Sequence, residues 1–178
     1  INYKESIELA RLIILNYNPT LKSGNNNLLA ILIDMNILWE KFIYSELKRN
    51  EKTNNYKVNY QRSSFFWNNK KIYPDLVINK KGEKYIIDTK WKMLYSNTPS
   101  DNDLKQMFVY NAFWETNKSI LLYPNPSKNV KINKYGVFHK GVRNYVSDQN
   151  FCKIGYLNIF NDNNHLNKKV YSDILELL

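Results

Sequence analysis

Apolar positions change their spacing several times along the chain, and each change marks a different element. Ile7, Leu9, Ala10, Leu12, Ile13 and Ile14 fit a first helix that ends before Asn18-Pro19. Met35, Leu38, Trp39, Phe42, Ile43 and Leu47 recur at helical spacing and predict a second, amphipathic helix. Alternation then takes over, with strands predicted at 58–66, 73–79 and 84–90. Ser100-Asp101-Asn102-Asp103 has the form of a capping box and opens a third helix through Trp114. Further strands are expected at 119–123, 135–138 and 151–159, and a closing helix at 170–178. Asparagine clusters at 25–27, 54–55, 68–69 and 161–164 punctuate these runs as turns, because Asn tolerates positive φ. The order α, α, β, β, β, α, β, β, β, α predicts an α/β domain with a mixed central β-sheet flanked by helices.

Length and composition narrow the function classes. With 178 residues the chain fits one domain, 1–178, burying roughly 70% of its unfolded surface. No apolar run approaches the ~20 residues of a membrane span, and the first residues lack a signal-peptide pattern, so no membrane partner and a cytoplasmic location are expected. One cysteine, Cys152, and two histidines, His139 and His165, cannot build a four-ligand structural zinc site, so any metal would be held by oxygen. The net charge of +10 suits a polyanion. Because the chain starts at Ile1 inside a helical pattern, it is expected to be the C-terminal part of a longer polypeptide.

The chemistry concentrates in Tyr73-Pro74-Asp75-Leu76-Val77-Ile78-Asn79-Lys80-Lys81-Gly82-Glu83-Lys84-Tyr85-Ile86-Ile87-Asp88-Thr89-Lys90. An even-numbered hairpin loop there, Lys81-Gly82 or 80–83, sets Val77 opposite Ile86 and Asp75 opposite Asp88. Opposed Cβ atoms stand about 4.5–5.5 Å apart, so two carboxylates would crowd one spot and repel unless a cation joins them. Alternation puts Lys90 on the same face as Asp88, about 6.6 Å along the strand. Two hard oxygen donors suit Mg²⁺, with Mn²⁺ as a substitute, which keeps waters and accepts phosphate oxygens. Lys90 would orient or deprotonate a water, or neutralise charge developing on phosphorus. Glu40 lies about 20° beyond Leu47 on a helical wheel, at the edge of the apolar stripe, where it can reach such a cleft. Gln106 and Tyr110 form an i, i+4 pair on one face of the third helix, with Leu104, Phe108, Asn111 and Ala112 on another. Lys70, Lys71, Lys92 and Lys105 lie near these motifs in sequence and are candidate DNA-binding residues, as are Lys80 and Lys81.

The order Trp39-Glu40-Lys41-Phe42, Pro74-Asp75, Asp88-Thr89-Lys90 and Gln106-Met107-Phe108-Val109-Tyr110 resembles a PD-(D/E)xK nuclease carrying the QxxxY motif of RecB-like nucleases. More narrowly, 32–42, 73–77 and 87–92 are similar to the McrC family, the endonuclease subunit of the McrBC modified-cytosine restriction system. The resemblance implies a restriction-endonuclease-like core and Mg²⁺-dependent hydrolysis of double-stranded DNA. By position it implies Asp75, Asp88 and Glu40 as metal ligands, Lys90 as the catalytic lysine, and Gln106 and Tyr110 as residues that organise the site. It also implies an AAA+ GTPase partner; the chain has no GxxxxGK[ST] phosphate loop of its own and is not expected to hydrolyse GTP by that mechanism. Two other readings of the same residues are a catalytically silent module that binds DNA or docks a partner, and a RecB-like nuclease acting on DNA ends or RNA.

Overall fold

In the computed structural model, which describes residues 4, 7, 10, 11, 32–94, 98–125, 134–139 and 150–178, helix α1 spans Met35–Asn50. Asp34 starts it by accepting hydrogen bonds from the Asn36 and Ile37 N–H groups. Strands β1 (Tyr56–Tyr60), β2 (Ser64–Trp67), β3 (Lys70–Ile72), β4 (Leu76–Lys80) and β5 (Glu83–Thr89) follow. Helix α2 (Asp101–Phe113) then precedes β6 (Lys118–Pro124), β7 (Lys134–Val137), β8 (Phe151–Leu157) and helix α3 (Val170–Leu177). The expected first helix falls largely outside the described residues; Lys4, Ile7, Ala10 and Arg11 are helical. Contacts divide the chain into two units, Ile1–Ile33 and Asp34–Leu178, and all elements labelled here belong to the second. Among the described residues no helix is long and apolar enough to cross a membrane.

Six strands form one mixed sheet in the order β1-β4-β5-β6-β8-β7. The β5–β6 and β6–β8 pairs are parallel, while β1–β4, β4–β5 and β7–β8 are antiparallel. Alternation splits the core into two layers. Leu76, Ile78, Ile87, Ile120 and Leu122 pack on one face beneath Trp39, Ile43 and Leu47 of α1 and Val170, Ile174 and Leu177 of α3. Val77, Ile86, Leu121 and Tyr123 pack on the other face against Met107, Tyr110 and Trp114. Strands covered on both faces must be apolar at consecutive positions, which is why Tyr85-Ile86-Ile87 and Ile120-Leu121-Leu122-Tyr123 read as unbroken runs.

The β4–β5 hairpin has the predicted register, with Leu76 opposite Ile87, Val77 opposite Ile86 and Lys80 opposite Glu83. Its two-residue loop is Lys81-Gly82, with φ of 52° and 81°, the left-handed pair that a primed turn demands. Ser100 and Asp103 form the predicted capping box at the start of α2.

One expectation needs correction. The strand expected at 58–66 breaks at Gln61, whose φ of 43° turns the chain out of the sheet. Residues beyond it form the separate β2–β3 ribbon, which rejoins the sheet through Tyr73 and Pro74. On α2, where Gln106 and Tyr110 mark the expected polar face, Asp103, Met107, Tyr110 and Asn111 are buried, Leu104 and Phe108 half-buried and Ala112 exposed. Phe108 meets Phe138, with ring centroids 5.4 Å apart. The helix is rotated so that Tyr110 reaches the sheet, and the polar network described next fixes that rotation.

Candidate active site

The parallel strand β5 ends where β4 begins, so both motif segments meet at one rim of the sheet. Carboxyl ends of parallel strands are where α/β sheets commonly open a crevice. The β4–β5 ladder stops at Leu76 and Ile87, so Asp75 precedes β4 while Asp88 stays paired to β6 opposite Leu121, and both lie at the opening. Lys90 continues β5 in extended form because its N–H donates to the Leu122 carbonyl at 2.9 Å.

Asp75 is fixed by the residue between the other two motif members. Its Oδ2 accepts the Thr89 N–H at 2.6 Å and the Thr89 hydroxyl at 2.7 Å. Burial raises the Asp75 pKa, while Thr89 and Lys90 pull it back. Asp88 is 2% exposed. Burial, then the neighbouring Asp75 charge, push its pKa up to about 7 in spite of Lys90. Lys90 Nζ lies 2.5 Å from Asp88 Oδ2, yet that oxygen has no aligned hydrogen-bond donor. The contact is an ion pair whose acceptor oxygen still has lone-pair capacity to spend.

Helix α2 seats the ammonium. Lys90 Nζ donates to Gln106 Oε1 at 3.1 Å, Gln106 Nε2 donates to Tyr110 OH at 2.9 Å, and Tyr110 OH donates to the Tyr73 carbonyl at 2.7 Å. This relay ties α2 to the segment that enters Asp75, and it explains the Gln and Tyr spacing. Burial, with the Asp88 charge next, holds the Tyr110 hydroxyl far above the usual tyrosine range, so it stays a proton donor. Tyr110→Phe would leave the Tyr73 carbonyl and the Gln106 amide unpaired, and should lower unfolding free energy by about 1–3 kcal/mol. Urea denaturation measures this, and a loss below about 0.5 kcal/mol would show that water replaces the hydroxyl.

Glu40 sits at the same rim but in its own bonds. Its Oε1 accepts from Gln61 Nε2 at 2.9 Å, and Tyr60 also hydrogen-bonds to it. Burial and then the Asp75 charge raise its pKa. Among the described residues no three His, Cys, Asp or Glu side chains gather into a metal-holding group. The three-carboxylate set expected from the sequence is therefore present as a pair, Asp75 and Asp88, with Glu40 electrostatically in range but engaged by Gln61 and Tyr60.

Several working residues escaped sequence reasoning. Thr89 alternates away from the site face, so a reading by faces discards it, although its N–H and hydroxyl reach Asp75. Gln61 carried no motif. Asp103 was visible only as half of a capping box, yet its carboxylate lies 2.5 Å from Lys92 Nζ and 3.8 Å from Lys90 Nζ. Burial opposes its charge, but Lys92, Ser100 and Lys90 hold its pKa below the usual value. Lys92 is thus already paired. Lys70, Lys71 and Lys105 are exposed. Lys80 and Lys81 stand at the other end of β4, about 16 Å from Asp75 at ~3.3 Å per residue, and Lys80 donates to the Leu175 carbonyl. They do not surround the site.

A family model described as "McrBC 5-methylcytosine restriction system component" matches residues 1–124. No curated protein matches the chain. Among solved structures, a chain of the refined half-complex from the tetradecameric assembly of Thermococcus gammatolerans McrB AAA+ hexamers with bound McrC matches with a TM-score of 0.53 and 21% identity. The match covers 82% of this chain and 33% of that one, so the sequence spans about a third of its structural relative. At that identity the likeness concerns fold: a mixed six-stranded sheet flanked by helices, the restriction-endonuclease-like architecture expected from the motifs.

Proposed function

The chain belongs to the McrBC 5-methylcytosine restriction system component family, and from that premise we propose that Asp34–Leu178 is the metal-dependent nuclease module of such a system, hydrolysing DNA phosphodiester bonds. The observation that carries this reading is the pair Asp75 and Asp88 at one sheet rim, with the Lys90 ammonium 2.5 Å from a buried Asp88 oxygen.

Two hard carboxylates with spare acceptor capacity fit Mg²⁺ or Mn²⁺, which fill their remaining positions with water and phosphate oxygens. Asp75 and Asp88 would hold the ion, and it would supply Lewis-acid polarisation of the phosphate and a more acidic water. The chain's own residues do the rest. Thr89 locks the Asp75 carboxylate in place, so little reorganisation is needed when the ion and substrate enter. Lys90 faces the charge that builds on the phosphate oxygens as water's oxygen bonds to phosphorus and the P–O bond to one sugar breaks. Gln106 and Tyr110 keep that ammonium aimed. Glu40, with its raised pKa and its tether to Gln61, is placed to exchange a proton with water at the rim.

The DNA is the modified duplex that the family description points to, and the partner is an AAA+ GTPase, by analogy with the McrB hexamers that hold McrC in the structural relative. The test uses the full-length chain together with that GTPase, circular DNA carrying 5-methylcytosine, GTP and Mg²⁺. Strand breaks that appear with Mg²⁺ and vanish with EDTA are expected. DNA binding without breaks under Mg²⁺ or Mn²⁺ would instead identify a catalytically silent binding module.

A further inference from the structure

Apart from Ile72, which packs on the core, residues 62–72 lie outside the six-stranded sheet and the relay just described. They leave at Gln61 and return at Tyr73, forming the two-stranded β2–β3 ribbon. Both ends are tied to the active site. Gln61 donates its amide to Glu40 and its backbone N–H to the Asp75 carbonyl at 2.9 Å, and the Tyr73 carbonyl receives Tyr110 OH. The ribbon is therefore an arm whose base is the catalytic rim itself.

Its surface has an unusual composition. Phe65 is 62% and Trp67 65% exposed. An isolated two-stranded ribbon gains nothing in stability from presenting such rings to water. Phe66 is accounted for, since its ring meets Phe113 at a tilt with centroids 5.7 Å apart and braces the ribbon against α2. Among the described residues Phe65 and Trp67 have no such ring contact. Opposite them in the register stand Lys71 and Lys70, and Lys71 Nζ lies 4.8 Å from the Phe65 ring centroid. Arg62 adds a third cation, and 62–72 contain no carboxylate. Aromatic faces interleaved with unopposed cations match nucleic acid, whose bases stack on rings while phosphates take the charge.

We propose that the β2–β3 ribbon is a DNA-contacting arm that grips the strand next to the cut site, with Arg62, Lys70 and Lys71 on phosphates and the Phe65 and Trp67 rings against bases or sugars. The inference rests on the nuclease reading for its location but not for its binding test. Because the arm and the scissile site share Gln61 and Tyr73, DNA gripped by the ribbon arrives at Asp75 and Asp88 in a fixed register. Such fixed placement is worth more to catalysis than attraction alone.

The experiment measures binding of a fluorescein-labelled 5-methylcytosine duplex by the full-length chain in EDTA, then cleavage by the complex with its GTPase in Mg²⁺. Trp67→Ala should weaken binding by about 5-fold, the low end of the range for a base resting on a ring, because the bases of a duplex stack mainly on one another. Lys70→Ala with Lys71→Ala should lower the slope of log affinity against log salt by about 1.8. Lys81→Ala, at the opposite end of the sheet, should leave both unchanged. All of these side chains are exposed, so unaltered circular dichroism and thermal midpoints are expected. Wild-type affinity and salt slope in the ribbon variants would overturn the proposal, as would loss of GTPase association with DNA binding retained, which would make the ribbon a protein-docking element. If the ribbon variants lose binding but no form of the protein cuts DNA, the arm stands and the nuclease reading falls. If Asp88→Asn stops cutting while ribbon variants bind and cut normally, the arm alone falls.

Discussion

Asp88→Asn is expected to reduce DNA cleavage by at least about a thousandfold while leaving the protein folded. Asparagine keeps the size of the side chain and one carbonyl acceptor, but it cannot carry the charge that pairs with a divalent ion and with Lys90. In the ion-free protein the carboxylate is held at a pKa of about 7, against an ordinary 3.8, first by burial and then by Asp75. A raised folded-state pKa means that the stabilising contribution of Asp88 is fully present below pH ~4 and is lost as pH rises through about 7. At pH 8 the buried charge works against the fold, so Asp88→Asn should melt at or above the wild-type temperature there. The same linkage applies to the ion, which must displace a proton at lower pH. Mg²⁺ affinity measured calorimetrically should be about tenfold weaker at pH 6 than at pH 8, because a site with pKa about 7 is mostly protonated at the lower value. Asp88→Asn should flatten that dependence. Cutting by Asp88→Asn within tenfold of wild type would sink the metal-ligand assignment, and a melting temperature far below wild type at pH 8 would make Asp88 a structural residue.

How much of this was legible beforehand depends on the range of the forces involved. The β4–β5 hairpin could be read because its determinants are local: Lys81-Gly82 supplies the positive φ, the period of two does the rest, and Asp75 and Asp88 follow from arithmetic. The capping box of α2 was legible for the same reason. Gln106 and Tyr110 marked a polar face of α2, but Leu104 and Phe108 are as apolar as Met107, so the partner of that face could not be read. What decides the face is a hydroxyl finding the Tyr73 carbonyl 37 residues away. Thr89 was passed over because alternation predicts where a side chain starts, not where its hydroxyl and backbone N–H end. The departure of β2 from the expected strand at 58–66 hangs on one residue, Gln61, whose left-handed backbone no propensity favours. The helical wheel puts Glu40 at the edge of the apolar stripe, on the side where it feels the Asp75 charge, but its capture by Gln61 and Tyr60 required that same turn. What stayed unreadable are the non-local polar contacts that hold the motif residues in place, as expected where a site overrides local preference.

Lys90→Met is expected to lower the rate of the cleavage step by about a hundred- to a thousandfold, with Mg²⁺ affinity changed far less. Burial works against the ammonium, but Asp88, then Asp103 and Asp75, outweigh it and hold its pKa above the ordinary lysine value. Lys90 therefore stays charged through neutral pH, which favours the cation that meets developing negative charge over the base that takes a proton from water. Arginine should not rescue it, because the seat is a single Gln106 carbonyl oxygen at 3.1 Å and a carboxylate at 2.5 Å, suited to a point charge rather than a planar fork. Stability gives a second, independent reading. Removing the ammonium leaves Asp88 buried without its counter-charge, which raises its pKa further and makes the variant lose stability as pH rises. Lys90→Met should accordingly melt below both wild type and Asp88→Asn at pH 8, with the gap closing towards pH 5. Combining it with Asp88→Asn should recover most of the loss, since the double change removes both members of the pair. Single-turnover rates for Lys90→Met within threefold of wild type, alongside this melting behaviour, would make Lys90 the structural counter-ion of Asp88 and nothing more.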